Sequence, residues 1–486
     1  MNNEFDELDN LFGSASGDLR NQLDDIDIPE FQPRNDRARA LVVVAVLAVA
    51  AFFGLPWLAD AFGETTSIDT AEIVDDGTVE PAPDPEEAPD EVVEVPGAEA
   101  IDLITGFDTT PPVDGRERLS LGESVPDPAY GANVRRVSEA GPAEARIASS
   151  FASPENADST ALLILRNEAD WHAVDRTSLE STELSTVDRR SEPHWHPTNP
   201  SVLRHFPDPQ ADTGLALLET SLDGSTEVVA DLATRVIERF PTAVFLSSGV
   251  GQDPALGTIY AWAVLNEGSD LLGFISYDLS LDQILGSADA PTEDFGNFDS
   301  VRISPSGTFV IAGWVDNTVS YDVSFAESTV LDQRNRDGAL VVMEGASDAL
   351  ITVDLTSEEP TGGHIYWIDL ESGERNLLYD LFDGANTSVQ FSASPQRPGW
   401  AILATHGCRG AGAWSCEKVM ATHLVSGTLV NLAHTYACGE AALSVPQISV
   451  SPALDRAYFN SDSATCDQPA EAFEVEIPSN LFELAE

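Results

Sequence analysis

Asp299–Val323 reads DSVRISPSGTFVIAGWVDNTVSYDV, and its pattern decides the fold. Val301 and Ile303 alternate with Arg302 and Ser304, which is the period of a half-buried strand. Pro305-Ser306-Gly307 follows, with proline fixing φ and glycine permitting positive φ, so the chain turns. Thr308–Trp314 is β-branched and aromatic, Asp316-Asn317 breaks it, and Thr318–Val323 alternates again. These are most of one four-stranded antiparallel unit.

The same signature, a strand running into a small residue and proline, recurs along the chain. It stands at Phe151–Pro154, His194–Pro197, Ile303–Pro305, Phe391–Pro395 and Ile448–Pro452. The longer gaps, Pro197 to Pro305 and Pro305 to Pro395, are each about twice a blade of roughly 40–50 residues. Each therefore hides one degenerate unit, and the apolar runs Thr242–Leu246 and Ala339–Met343 mark them. Third strands ending in aspartate, such as Trp171–Asp175, Gly273–Asp278, Val319–Asp322 and Ile365–Asp369, lead into tight turns.

Five visible and two hidden units predict an all-β chain, a seven-bladed β-propeller of four-stranded antiparallel blades. The seventh unit has three strands, within Pro446–Val450, Arg456–Asn460 and Phe473–Ile477. A strand near 133–138, beginning Asn133-Val134, is expected to supply the missing outer strand and latch the ring, reached by residues 100 to 130 running over the surface. The expected organisation is a tail (1–39), a transmembrane helix (40–60), an acidic Pro-rich linker (61–100) and the propeller (101–486).

The apolar run Ala40–Ala59 is uncharged and long enough to cross a bilayer. Arg34, Arg37 and Arg39 precede it, and no base follows until Arg116. The positive-inside rule then puts the N-terminus in the cytoplasm and the propeller outside a cell membrane crossed once. A cleaved signal peptide, ending near Ala59-Asp60-Ala61, is the competing reading. In the tail, Phe5, Leu8, Leu11 and Phe12 recur at helical spacing, so a cytoplasmic partner could dock there. Glu80–Pro85 and its acidic surroundings favour an extended spacer.

The 82 acidic residues outnumber the 24 basic ones, giving a formal charge of -58, and Lys418 is the sole lysine. Such a surface repels nucleic acid and anionic headgroups. Four cysteines, Cys408, Cys416, Cys438 and Cys466, suit disulfides on the outer side. The pairing Cys408–Cys416 with Cys438–Cys466 is preferred among three. A zinc site lacks its usual Cys-x-x-Cys pair.

The densest polar stretch is His194-Trp195-His196, with His205 close by. On a strand the two histidines share a face, and with His406 from another unit they could hold a divalent metal. Against this, Trp195 would pack between blades while the histidines bond to backbone or water. Arg189, Arg190 and Arg204 suit a carboxylated sugar. The candidate ligand-binding set is therefore His194, His196, Arg204 and His406, with no catalytic residue and no cofactor assigned beyond that divalent metal.

Glu192–Pro200, the turn Ile303–Gly307 and Arg397-Pro398-Gly399-Trp400 resemble TolB-like propellers, and within them the oligogalacturonate lyase type of ring, over roughly residues 130 to 480. That resemblance implies a divalent metal held by several His and a Gln, with a further His and Arg for β-elimination. No set among the eight histidines lines up with that pattern. The expected role is thus a binding scaffold for a cell-envelope protein or glycan. The alternative is a lyase- or hydrolase-like enzyme acting on acidic sugars.

Overall fold

Turn chemistry sets the strand boundaries in the computed structural model. It describes residues 99–485 apart from 114–116, 142–143, 168–169, 189, 208–213, 250, 293–294, 316, 334–337, 355–362, 381–387, 407–413, 438–446 and 464–467. These residues belong to the second of two units, Glu91–Glu486. The tail, the helix expected at 40–60 and most of the linker lie outside them. Among the described residues no helix is long and apolar enough to cross a membrane.

Four sheets are four-stranded meanders in chain order. The first, with its edge strands His194–Trp195 and Thr226–Asp231, is followed by a short helix, Ala233–Arg239. The second runs from Phe245–Ser247 to Gln283–Asp289 and the third from Phe298–Ile303 to Ser328–Gln333. The fourth runs from Ala339–Val342 to Arg375–Asp380. Both hidden units expected from the proline spacing are therefore present, beginning at Phe245 and Ala339. A fifth meander, Ser388–Ala393 to Thr428–His434, carries Ile104–Thr105 on its outer edge.

The remaining sheet has nine strands and joins both ends of the chain. Ile448–Val450, Arg456–Ser461 and Glu471–Glu476 form its C-terminal meander. Asn133–Arg136 pairs antiparallel with Glu471–Glu476, Val134 opposite Val475, and supplies the fourth strand. Ala145–Arg146, Ala161–Arg166, Asp170–Asp175 and Ser181–Glu183 form the other meander. The expected latch is thus observed. Residues 100–130 do more than cross the surface, because Ile104–Thr105 and Ser124–Pro126 each pair with an otherwise open edge.

The core is divided among the seams between consecutive meanders. Val301 and Val310 pack against Ala261 and Phe274 in one seam, and Phe391 and Leu403 against Val341 and Ile351 in another. A further cluster places Tyr458 and Ala472 against Ile147 and Leu162, so the C-terminal meander, last in the ring, packs on the Ala145–Glu183 meander, which is the ring's first. Sheets packed face to face in chain order and returning to their start are a β-propeller.

Two local devices recur. In the turn after Ile303, the Ser304 amide donates to the Phe309 carbonyl (2.8 Å) and its hydroxyl accepts the Phe309 amide (3.0 Å). Gly307 has φ of +76°, and a Cβ there would meet Ile259 at 2.8 Å. Ser451 does the same work for Arg456 (3.1 Å), with Leu454 at φ 55°. At the other turn, the aspartate ending the third strand accepts the following amides, as Asp175, Asp278, Asp322 and Asp369 all do.

Glu471 anchors the latch. Its carboxylate is buried and accepts from Arg136 (2.7 Å), the Ala140 amide (2.7 Å) and Arg118. Removing one partner of a buried pair strands the other charge, at a cost of about 3–5 kcal/mol. Glu471→Ala is expected to lower unfolding stability by about that amount in denaturant titration, and Glu471→Gln by less. Equal, small effects of the two would show that the pair does not hold the latch.

Candidate functional site

All these meanders line one cavity of about 350 Å³, most of them with turn residues and the one beginning at Ala339 with its first strand. Because each meander begins at the ring's centre and turns at the same end, the turn residues Pro197, Pro254, Pro305, Pro395 and Pro452 ring its mouth. Phe151 and Val450 add apolar wall, and Ser394 and Ser451 add hydroxyls already used within the turns.

Four charged or titratable side chains line it. Glu155 is buried and bonded by both oxygens to Arg456 (2.5 and 2.8 Å) and also to Tyr458. Burial raises its pKa, but the Arg456 hydrogen bonds and charge outweigh this and hold the carboxyl below its usual value. Arg302 lies over the Phe151 ring at 4.2 Å and donates to the Gly338 carbonyl (2.5 Å). His196 accepts the amides of Thr198 (3.1 Å) and Asn199 (2.9 Å) at Nδ1, and its Nε2 stands 3.7 Å from Glu219.

Asp253 differs from these. Its side chain is open to cavity water, and it accepts one hydrogen bond, from the Ser153 amide to Oδ2 (2.9 Å). The protein crowded around it pushes the carboxyl up to about 6, against the lowering effect of that bond. A carboxyl so placed is half-charged near pH 6, mostly ionised at neutrality, and keeps one oxygen for a ligand.

The expected site residues are only partly brought together. His194 is buried, shares a hydrogen bond with the Tyr260 hydroxyl (3.3 Å), and is depressed to about 3 by burial and by Arg204. Arg204 is tied to Glu219 (2.9 Å), Tyr260 (3.1 Å) and the Gly257 carbonyl (2.9 Å). Trp195 packs against Leu163 and Leu203 and donates to the Pro154 carbonyl (2.8 Å), so it sits between blades. His205 bonds Phe206 and Thr220. Arg190 is exposed, and Arg189 lies outside the described residues.

His406 does not join them. It ends Trp400–His406, opposite Ser388, whereas the cavity-lining Ala393 pairs with Ala401 at the other end. Those ends are roughly 17 Å apart at 3.3 Å per residue. His194, His196 and His406 therefore do not fit one metal ion. Among the described residues no group of three His, Cys, Asp or Glu is placed to hold one. Cys416 is disulfide-bonded, while Cys408, Cys438 and Cys466 lie outside the described residues.

Neither a protein-family model nor a curated protein sequence matches the chain. Among solved structures, an oligogalacturonate lyase from Vibrio parahaemolyticus is 10% identical, with 79% of this chain and 99% of that one covered and a TM-score of 0.50. An oligogalacturonate lyase in complex with manganese is 12% identical over the same shares, with a TM-score of 0.49. The class that the sheets define is the β-propeller. More particularly, its ring resembles the oligogalacturonate lyase ring, of TolB-like type, and at this identity the likeness is one of fold.

His406 carries a prediction. Among the described residues both ring nitrogens are buried without a partner, and burial depresses the imidazole to about 4 from 6.5. A depressed folded value gives stability that is complete above pH 6.5 and lost as pH falls toward 4. His406→Leu removes two unsatisfied polar atoms, so it is expected to raise stability by about 1–3 kcal/mol and reduce acid sensitivity in that window. Unfolding curves at pH 7 and pH 4.5 check this. A destabilised variant would show that the imidazole has a bonding partner.

Proposed function

We propose that this chain is an anchored binding module whose ligand enters the central cavity. In this reading the propeller has seven blades, the nine-stranded sheet counting as two. Residues 40–60 cross the cell membrane with the tail inside, and 61–100 hold the propeller off the outer surface. The ligand is a cell-envelope protein or glycan. Disulfides Cys408–Cys416 and Cys438–Cys466 fit that side of the membrane, and the bonded state of Cys416 supports the reading.

One observation carries the proposal. A cavity lined from every meander has its Glu155 and His196 committed to internal bonds. The wall is thus built and rigid, which suits recognition of a shaped ligand. The likeness to oligogalacturonate lyases supplies the fold and leaves the chemistry of this cavity to its own residues.

Ala157 is exposed on the cavity lining, so Ala157→Trp obstructs the opening without entering the core. Full-length chain is to be assayed against purified envelope proteins and glycans, and with oligogalacturonate. Binding of one class, weakened at least about tenfold by Ala157→Trp (1.4 kcal/mol), is the expected result. Turnover of oligogalacturonate, seen as rising ultraviolet absorbance, would contradict a binding role and favour the enzyme acting on acidic sugars.

A further inference from the structure

The cavity's charges are uneven in how they are used. Glu155 is neutralised by Arg456, His196 is turned toward Glu219 and its own turn, and Arg302 lies on Phe151 with an arm on the Gly338 carbonyl. Asp253 alone among these four faces cavity water with one carboxylate oxygen lacking a hydrogen-bond partner among the described residues. A buried or enclosed carboxylate favours a cation that can replace its lost water. The chain's formal charge of -58 adds a long-range field that draws cations and repels anions.

A second feature lies in the same turn. Leu256 is 73% exposed, the highest value among the exposed large hydrophobics of the described residues, and it lines the cavity. Its φ is 52°, in the left-handed region that a leucine rarely occupies, at a cost on the order of 1–3 kcal/mol. The strain is held by the turn, where the Thr258 and Ile259 amides both bond the Ala255 carbonyl (3.1 and 2.9 Å). Gly257 follows with φ of +76°, and a Cβ there would press on Pro197 at 3.2 Å. The turn thus lifts an apolar side chain out at the rim, three residues from the carboxylate inside. A free amine could satisfy Asp253, but only a larger partner would cover Leu256.

We propose that the occupant of the cavity is a basic side chain presented by a partner polypeptide, its guanidinium or ammonium on Asp253 and a neighbouring apolar residue on Leu256. The inference rests on the binding reading above and names the chemical class of that ligand. It selects protein over glycan and a basic segment over an acidic one. Arginine is favoured over lysine, because a planar guanidinium can take a carboxylate in a fixed fork and also lie along the apolar face of Pro254. Since a cation holds Asp253 ionised, binding releases a proton near pH 6 and weakens as pH falls below it.

The test uses full-length chain and the acetylated tripeptide amide leucyl-arginyl-glycine, with glutaminyl and glutamyl counterparts, followed by saturation-transfer NMR. The arginyl peptide is expected to bind at least about tenfold more tightly than the glutaminyl one (1.4 kcal/mol), and the glutamyl one most weakly. Asp253→Asn should bring the arginyl affinity down to the glutaminyl level with an unchanged melting temperature. Leu256→Ser should weaken the arginyl and glutaminyl peptides alike. A glutamyl peptide that binds as well as the arginyl one, or an Asp253→Asn chain that binds it undiminished, overturns the inference. So does binding of an acidic glycan that Ala157→Trp blocks, although that result leaves the binding reading standing. If no ligand responds to Ala157→Trp, the binding reading itself fails.

Discussion

Everything in this ring depends on how its two chain ends are held together, and that task falls on buried glutamates. Glu471 gathers Arg118, Arg136 and the Ala140 amide. Glu474, three residues further and so on the opposite face of the strand, is bonded by Arg176 through both oxygens (2.9 and 3.0 Å) and by Tyr458 (3.2 Å). Glu155 and Arg456 join the first and last meanders nearer the axis. Four of the chain's 24 basic residues are thus used at one seam, in a protein with 82 acidic residues. Buried pairs of this sort add little net stability over apolar packing. Their effect here is on register, since a one-residue slip of Asn133–Arg136 along Glu471–Glu476 would invert its faces and unpair Arg136.

The closure then determines the cavity. With the last meander packed on the first through Tyr458 and Ile147, the turns at one end of the ring are forced to a common centre. There the hydroxyls of Ser394 and Ser451 are consumed in holding the turns, and Ser392 and Ser449 bond carbonyls of the first meander, Ser150 (3.0 Å) and Ala152 (2.8 Å). The result is a wall whose polar atoms are mostly satisfied from within. A residue such as Asp253, which is not, stands out for that reason.

Much of the fold was legible because strands and their turns are local. Val301 and Ile303, the Pro305–Gly307 turn and the Asp369 turn each use neighbours within a few residues, and the proline spacing located even the degenerate strands at Phe245 and Ala339. The outer pairing of Ile104–Thr105 was not legible, since two residues carry no period and their partner, Val430-Asn431, is more than 300 positions away. The site was harder still. His194 and His196 stand out as clustered imidazoles, but Tyr260 and two turn amides absorb them. Asp253 looks ordinary in sequence. Its state depends on Ser153, 100 residues earlier, and on the protein packed around it.

Residues 133–136 are an integral strand of the last meander, and their pairing closes the ring. Native-state hydrogen exchange of the full-length chain tests it directly. Amides of Val134 and Arg136 should be protected as strongly as those of Phe473 and Val475, and should exchange only with global unfolding. Fast exchange at 133–136 beside protected amides at 471–476 would mean that the strand is a loose strap, and would contradict a ring closed by it.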